Sequence, residues 1–527
     1  MSRWNLGWLL GVAGVCLLGL TVSYSAPLHS REKDYELVRL LVDVLGEVDQ
    51  RYVRELDPDA KRRLVEDMIN GGLERLDPHS GFINPKQYKQ FTKDSKGKFG
   101  GIGIQITKDV QTRMLMVHSP LVGTPAYDAG ILAGDIIAKI EGKSTENLTQ
   151  MEAVDLIQGE PGQPITLSVI HEGAENHQPV DIKIVRAEIQ VPSVLGDVRK
   201  PNNDWDFLID KEHGIGYIRL NAFNEKTASE LRTAVEQLQR DGARGLILDL
   251  RNNPGGLLTS AREVADLFLT EGRIVSTKGR DREEERYDAK ADGTLLVPAQ
   301  NYPMAVLINR YSASASEIVS AALQDNGRAV IIGERSYGKG SVQNVIKMEQ
   351  GASALKLTTA SYWRPSGKNI HRFPDAKDTD DWGVRPNDSG YRLTPASIQA
   401  LRADGVVEAV LGKLKSFPDK RFATEKEFVD ELAKLLSENE LDEARAKLLD
   451  RADRGFEVPL KDKELIDYVV YRRDRDVIAG KQTTAPSTPK VKAGGKDKKP
   501  FTDRVLEKAL EHLRGEIQKT PAELKVG

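Results

Sequence analysis

The chain has 527 residues, too long for one ordinary domain and enough for about three or four. Its 76 basic and 79 acidic residues nearly cancel, so nothing global points to nucleic acid, and none is expected as a partner. A single cysteine, Cys16, excludes an intramolecular disulfide and any metal site built on cysteines.

The first segment, "MSRWNLGWLLGVAGVCLLGLTVSYSAP", stands apart from the fold. Arg3 precedes an apolar run of about 17 residues, at the short limit for a spanning helix and a little long for a signal core. The small residues after it give only a weak cleavage cue. Residues 1–26 are therefore read as a signal anchor or a signal peptide, with retention as an anchor favoured. Either way the remainder lies outside the cytosol, on the periplasmic side, and a membrane is an expected partner through this segment.

Residues 32–92 read as helices. "YELVRLLVDVLGEV" places Leu37, Leu40, Leu41, Val44 and Leu45 at helical spacing, and "DPHSGFINP" closes the region with turn residues. From Phe99 the pattern changes to short strands, "FGGIGIQI", "MLMVHS", "DIIAKIEG", "ITLSVIHEG" and "VDIKIVRAE", a β-rich domain over 97–188. Over 205–390 apolar strands alternate with amphipathic helices, which argues an α/β layered core. Residues 391–480 are helical and charged, and 481–500 form a low-complexity linker rich in Pro, Gly, Thr and Lys. A last amphipathic helix lies in 501–527.

One stretch of the core carries candidate chemistry, "YSASASEIVSAALQDNGRAVIIGERSYGKGSVQ". "MAVLIN" before it is a buried strand. Ala315, Ile318, Val319, Ala322 and Leu323 mark one face of a following helix, so Ser314 sits at the junction. Free N–H groups and the positive end of the helix dipole gather there and would stabilise an oxyanion. Serine is also a preferred helix cap, and Ser312, Ser314 or Ser316 could each fill that role. A nucleophilic serine needs a base. Of the eight histidines, His213 and His371 flank the core, in no triad motif. Lys339, framed by Gly338 and Gly340, follows the strand "RAVIIGE"; it could act as a base only when neutral, a form that burial away from carboxylates favours. A surface lysine in a glycine turn is the plain alternative. Gln343 lies within reach to orient it. "DLRNNPGG" supplies a strand-to-helix turn whose glycines permit close backbone approach. With Ala315, it could form an oxyanion hole, or be an ordinary turn.

Taken together, "LDPHS", "KFGGIGI", "SPLVGTPAYDAGILAGDIIAKIEG", "LILDLRNNPGG", "SASASEIVSAALQD", "GERSYGKGSVQ" and "TTASYWRPSGKNI" make the chain resemble the carboxyl-terminal processing peptidases, or tail-specific proteases, over about residues 32–390. The resemblance implies a multi-domain fold. A crotonase/Clp-protease-like α/β peptidase core would carry an inserted-type PDZ domain and helical N- and C-terminal regions. It implies Ser314 as nucleophile, Lys339 as base, Gln343 as its assistant, and the backbones of Gly256 and Ala315 as oxyanion hole. The PDZ loop Gly100, Gly101, Ile102, Gly103 and Ile104 would hold the C-terminal carboxylate of a protein or peptide substrate. No cofactor and no metal are implied. Self-association is left open, as are a PDZ scaffold without activity and a histidine-based hydrolase. Two departures from the family pattern stand out: Tyr337 where phenylalanine is common, and Asn387 where aspartate is usual.

Overall fold

The computed structural model describes residues 28–519 apart from 109–113, 122, 133, 172–177, 201–203, 281–282, 378–379, 388–389, 418–419 and 477–500. The expected signal or anchor segment and the low-complexity linker lie outside the described residues. Among the described residues no helix is long and apolar enough to cross a membrane. The chain divides into two compact units, residues 1–82 and 83–527.

In the first unit, α1 spans Leu28–Arg51 and α2 Pro58–Glu74. Asp57 caps α2 by accepting the Ala60 N–H at 2.7 Å, and Pro58 follows at the first helical position. The stripe Leu37, Leu40 and Leu41 on α1 is exposed. Asp77 organises the "DPHS" turn by accepting the N–H groups of His79 and Ser80 and the Ser80 hydroxyl.

The second unit opens with α3, Pro85–Ser95, and β1, Lys98–Gly101. A separate antiparallel sheet follows, built from β2 (Ile104–Lys108), β3 (Leu115–Pro120), β4 (Ile136–Ile140), β5 (Pro164–Ile170) and β6 (Val180–Val185), paired in that order. Helix α4, Gln150–Ile157, starts from a Thr149–Glu152 capping box and packs beside β2. Ile102, Leu115, Val117, Ile137, Ile165 and Leu167 form the core of this domain. β7, Ala187–Gln190, returns to pair antiparallel with β1, so the chain enters and leaves the domain through one two-stranded ribbon.

The α/β core is a parallel sheet of β8 (Ile215–Leu220), β9 (Gly245–Asp249), β11 (Met304–Ile308) and β12 (Val330–Gly333), paired in that order. Helices α5 (Thr227–Arg240), α6 (Leu258–Asp266) and α7 (Ala315–Asp325) connect its strands, together with β10, Arg273–Gly279. β13, Ser341–Met348, and β14, Ser353–Trp363, form a long hairpin that pairs with β10.

Side chains alternate across the parallel sheet, as the two-residue period of a strand requires. Leu246, Leu248, Met304, Val306 and Ile331 point to one face, against α5, α6 and α7. Ile247, Ala305, Leu307 and Ile332 point to the other. That second face is covered by the last helix of the chain.

Helices α8 (Pro395–Ala403), α9 (Glu408–Leu414), α10 (Glu425–Ala433) and α11 (Glu438–Arg451) pack around a core of their own that includes Leu401, Leu411, Phe428 and Leu448. They are followed by α12, Asp462–Arg475, and α13, Arg504–Lys519. Val505, Leu506, Ala509, Leu513 and Ile517 of α13 fill the second face of the sheet. Asn387 ties β12 to α7, because its side-chain oxygen accepts both the Ile331 N–H and the Gln324 amide at 2.8 Å.

Candidate active site

Three loops meet at the carboxyl ends of β8, β9 and β11, where open α/β sheets form their binding crevices. They are stitched by the asparagines of the turn after β9. Asn252 donates its N–H to the side-chain oxygen of Asn309, whose amide donates back at 2.8 Å. Asn253 donates to the Leu220 carbonyl, and its own carbonyl accepts from the Ala313 N–H and the Ser316 hydroxyl. Its side-chain oxygen accepts the Gly255 N–H at 2.9 Å.

The three serines now part company. Ser312 donates to the Leu250 carbonyl and accepts the Asn309 N–H, and Ser316 donates to Asn253. Both are wiring between loops. Ser314 has φ 55° and ψ −112°, not the extended backbone of an ordinary capping serine. Such a conformation costs a non-glycine residue energy and marks a sharp strand-to-helix turn, at which Ser314 is nearly buried.

Two glycines let the neighbouring turn reach this junction. A Cβ on Gly255, at φ 100°, would lie 2.9 Å from both Ser314 Cβ and the Ala315 nitrogen. One on Gly256 would lie 2.1 Å from the Phe223 carbonyl. Within the described residues the N–H groups of Gly256 and Ala315 donate to no acceptor.

Ser314, Lys339 and Gln343 line one cavity of about 560 Å³, together with Gly255, Gly256 and an apolar wall that includes Phe91, Phe99 and Phe223. His213 pairs instead with Asp210, and neither it nor His371 lines this cavity. The glycines around Lys339 are explained by crowding: a Cβ on Gly338 would strike Arg372 at 2.7 Å, and one on Gly340 the His371 nitrogen at 2.2 Å. Gln343 donates its amide to Ser341 at 2.8 Å and Thr358 at 3.2 Å.

Glu317, one turn into α7, joins the two halves of the site. Its carboxylate accepts the Ser314 N–H at 2.8 Å and the Lys339 N–H at 2.8 Å. It also accepts the Gly338 N–H and the Ser336 hydroxyl, both at 2.6 Å. Full burial pushes this carboxyl above its ordinary range, while the four donors pull the other way. The sequence contained a signal for it, the Ser314-x-x-Glu317 spacing of a capping box. Asp249 and Arg251 were also not singled out from sequence. They form a buried ion pair at 2.6 Å at the root of the asparagine turn. Burial raises the Asp249 carboxyl, but Arg251 and the Tyr217 hydroxyl together outweigh it and hold the group below its ordinary value.

In the β-rich domain the loop 100–104 is pinned by its carbonyls. Gly100 accepts the Gly159 N–H, Ile102 the Ala126 N–H, and Gly103 the Leu121 N–H and the Thr124 hydroxyl. Among the described residues the N–H groups of Ile102 and Gly103 donate to nothing. β2, opened by Ile104, is an outer strand of its sheet.

A strained serine turn beside a glycine turn at the mouth of an α/β sheet is an arrangement that suits serine-type peptidase chemistry. The sequence profile of peptidase family S41 matches residues 214–381, and that of the PDZ domain residues 90–170. A carboxy-terminal-processing protease of Bartonella bacilliformis is 43% identical over 68% of this chain and 79% of its own. A carboxyl-terminal-processing protease of Synechocystis sp. is 34% identical over 62% of this chain and 72% of its own. The solved structure of a photosystem II D1 C-terminal processing protease is 27% identical, covering 65% of this chain and 85% of its own at a TM-score of 0.37. The chain belongs to peptidase family S41, among the PDZ-bearing carboxy-terminal processing peptidases.

Proposed function

We propose that this chain is a serine–lysine endopeptidase that grips protein C-termini through its PDZ domain and cleaves upstream of them. The carrying observation is the convergence at Ser314. Its strained backbone faces a cavity shared with Lys339, and two N–H groups without acceptors among the described residues lie beside it.

The chemistry follows from those positions. Ser314 Oγ attacks the scissile carbonyl carbon as its proton passes to Lys339 Nζ. The oxyanion is met by the N–H groups of Gly256 and Ala315. Lys339 then gives the proton to the departing amine, the C-terminal fragment leaves, and the rest of the substrate remains as an ester on Ser314. Water attacks the ester carbonyl as its proton passes to Lys339, the acyl–Oγ bond breaks, and Lys339 returns the proton to Ser314 Oγ, freeing the enzyme. Gln343 keeps the lysine oriented through the cycle.

Substrate capture rests on the loop 100–104, whose open N–H groups suit a terminal carboxylate, and on β2, to which an extended tail adds as a strand. The work is extracytoplasmic processing or quality control, with residues 1–26 directing export and holding the enzyme at the membrane. The boundaries 97–188 for the PDZ domain and 205–390 for the peptidase core belong to this reading.

The test is a trio of enzymes, the unaltered chain and two variants, on a peptide with a free C-terminus, with acyl-enzyme followed by mass spectrometry. Ser314→Ala and Lys339→Arg should both lose turnover. An acyl adduct should appear on Ser314 of the unaltered enzyme. Turnover by Lys339→Arg at the unaltered rate would refute the dyad.

A further inference from the structure

The glycine turn beside Ser314 starts from Arg251, and Arg251 is held from two directions. Its Nε and Nη2 donate to Asp249. Its Nη1 and Nη2 donate to the two oxygens of Asp503, at 2.8 and 2.9 Å. The Arg251 side chain is 2% exposed and that of Asp503 8%. The guanidinium also lies 4.2 Å from the centroid of the Tyr468 ring. Asp503 stands at the head of α13, 252 residues away along the chain, and accepts the Leu506 N–H.

The rest of α13 is fastened independently. Its apolar face fills the underside of the sheet, and Arg514 donates to Asp210 at 2.7 Å near the other end of the helix. The two Asp503 oxygens are directed at the root of the glycine turn. A guanidinium fork held by carboxylates on two sides has a fixed plane, and removing one carboxylate leaves a buried charge that must shift or draw in water. The next residue, Asn252, has φ 58°, and Asn253 carries the bonds to Ala313 and Ser316 that bracket Ser314. Arg251 is thus the residue from which the turn leading to Gly256 and Ser314 departs, so a shift of its backbone would be carried along that turn.

We infer that Asp503 is a positioning residue of the peptidase site. It acts through Arg251 to hold the oxyanion turn, and the C-terminal helix is a working part of the active centre, although it lies outside the region of S41 similarity. The inference rests on the proposed roles of Ser314, Gly256 and Ala315.

The experiment uses the full chain and a fluorogenic peptide substrate. Asp503→Asn and Asp503→Ser both keep a helix cap while removing the charge. Each should lower kcat at least tenfold with KM within twofold, and Asp503→Glu should recover much of the loss. Arg514→Ala, which loosens the same helix far from the turn, should lower the melting temperature without lowering kcat. Unaltered kcat in both neutral Asp503 variants would overturn the inference. So would kcat falling in Arg514→Ala in step with its melting temperature. Failure of both neutral variants to fold would make Asp503 a determinant of the fold and overturn the positioning role. Ser314→Ala separates the two levels. If it still turns over substrate, the catalytic reading itself fails; if it is dead while Asp503→Asn is fully active, only the inference fails.

Discussion

The turn 252–256 and the loop 100–104 are both glycine-rich, and both follow or open strands in the second unit. Their glycines are needed for different neighbours. In the first turn, side-chain atoms at 255 would collide with the Ser314 junction and at 256 with Phe223, elements from other parts of the core. In the second, a Cβ on Gly103 would lie 2.3–2.5 Å from Thr124 and one on Gly100 2.1 Å from the Gly159 carbonyl, all within the PDZ domain. The first turn is wired into the Ser314 junction proposed as the catalytic centre, the second into neighbours in its own domain. Damage to the first should therefore strike every substrate, and damage to the second should discriminate among substrates by their tails.

The largest effects should come from the first turn and its lysine partner. Gly255→Ala should cut kcat by about 10²–10³-fold or more, the range seen when an oxyanion donor is lost, because the new methyl group presses on Ser314 and the Ala315 nitrogen. Lys339→Arg should fall to background, since guanidinium does not deprotonate at usable pH, and the unaltered enzyme should gain activity as pH rises. Both losses should be equal on casein, a free-acid peptide and its amide. A loss confined to one of these substrates would erase the contrast between the two turns.

Glu317→Gln should come next. The amide has one oxygen, able to accept two donors, where the carboxylate's two oxygens accept four, so at least one buried N–H loses its partner, at a cost of about 1–3 kcal/mol. The resulting displacement between the Ser314 and Lys339 backbones should reduce kcat by about 10–10²-fold. Steady-state kinetics beside thermal melting checks this, and a stability loss with normal kcat would confine Glu317 to a structural part.

The two halves of this site were unequally legible. Ser314 and Lys339 stand out because they lie in distinctive motifs at predictable ends of strands. A serine at a helix start is ambiguous from sequence, since cap and nucleophile occupy the same position; the structure adds a positive φ, a departure from the extended backbone usual for a cap. Glu317 was hidden by the same ambiguity, because its spacing is that of a capping box. The Arg251–Asp503 pair carries no local signal at all: its partners are 252 residues apart, and only the packing of α13 brings them together. The apolar stripe of α13 was readable, but not the surface it covers. That surface is visible only once the alternating strand residues are placed on two faces of the sheet. Asn387 looked like a departure from a pattern, yet its side chain fixes the edge of β12.

The loop 100–104 should yield a moderate and selective effect. Amidating the C-terminus of a peptide substrate removes a charge-assisted contact of about 1.5–3 kcal/mol, so KM should rise by roughly ten- to hundredfold. Short peptides that reach the Ser314 cavity without touching the PDZ domain should not respond. Equal rates on acid and amide forms of a long substrate would remove tail recognition while leaving the dyad intact.

The smallest effect concerns the strand that receives the tail. Gln150, at the first residue of α4, donates its amide to the Ile106 carbonyl of β2 at 3.0 Å. A tail adding to that outer strand needs such carbonyls as acceptors, so this side chain competes with the substrate. Gln150 is exposed and lies outside the Thr149–Glu152 capping box, so its removal should leave α4 intact. A neutral hydrogen bond contributes about 0.5–1.5 kcal/mol net, which sets the gain. Gln150→Ala should therefore tighten binding of a free-acid tail peptide by roughly two- to tenfold, measured by fluorescence anisotropy on the Ser314→Ala background. The melting temperature should hold nearly constant. Weaker binding would mean that Gln150 itself contacts the tail, and the groove beside β2 would then be read as a site the glutamine helps build.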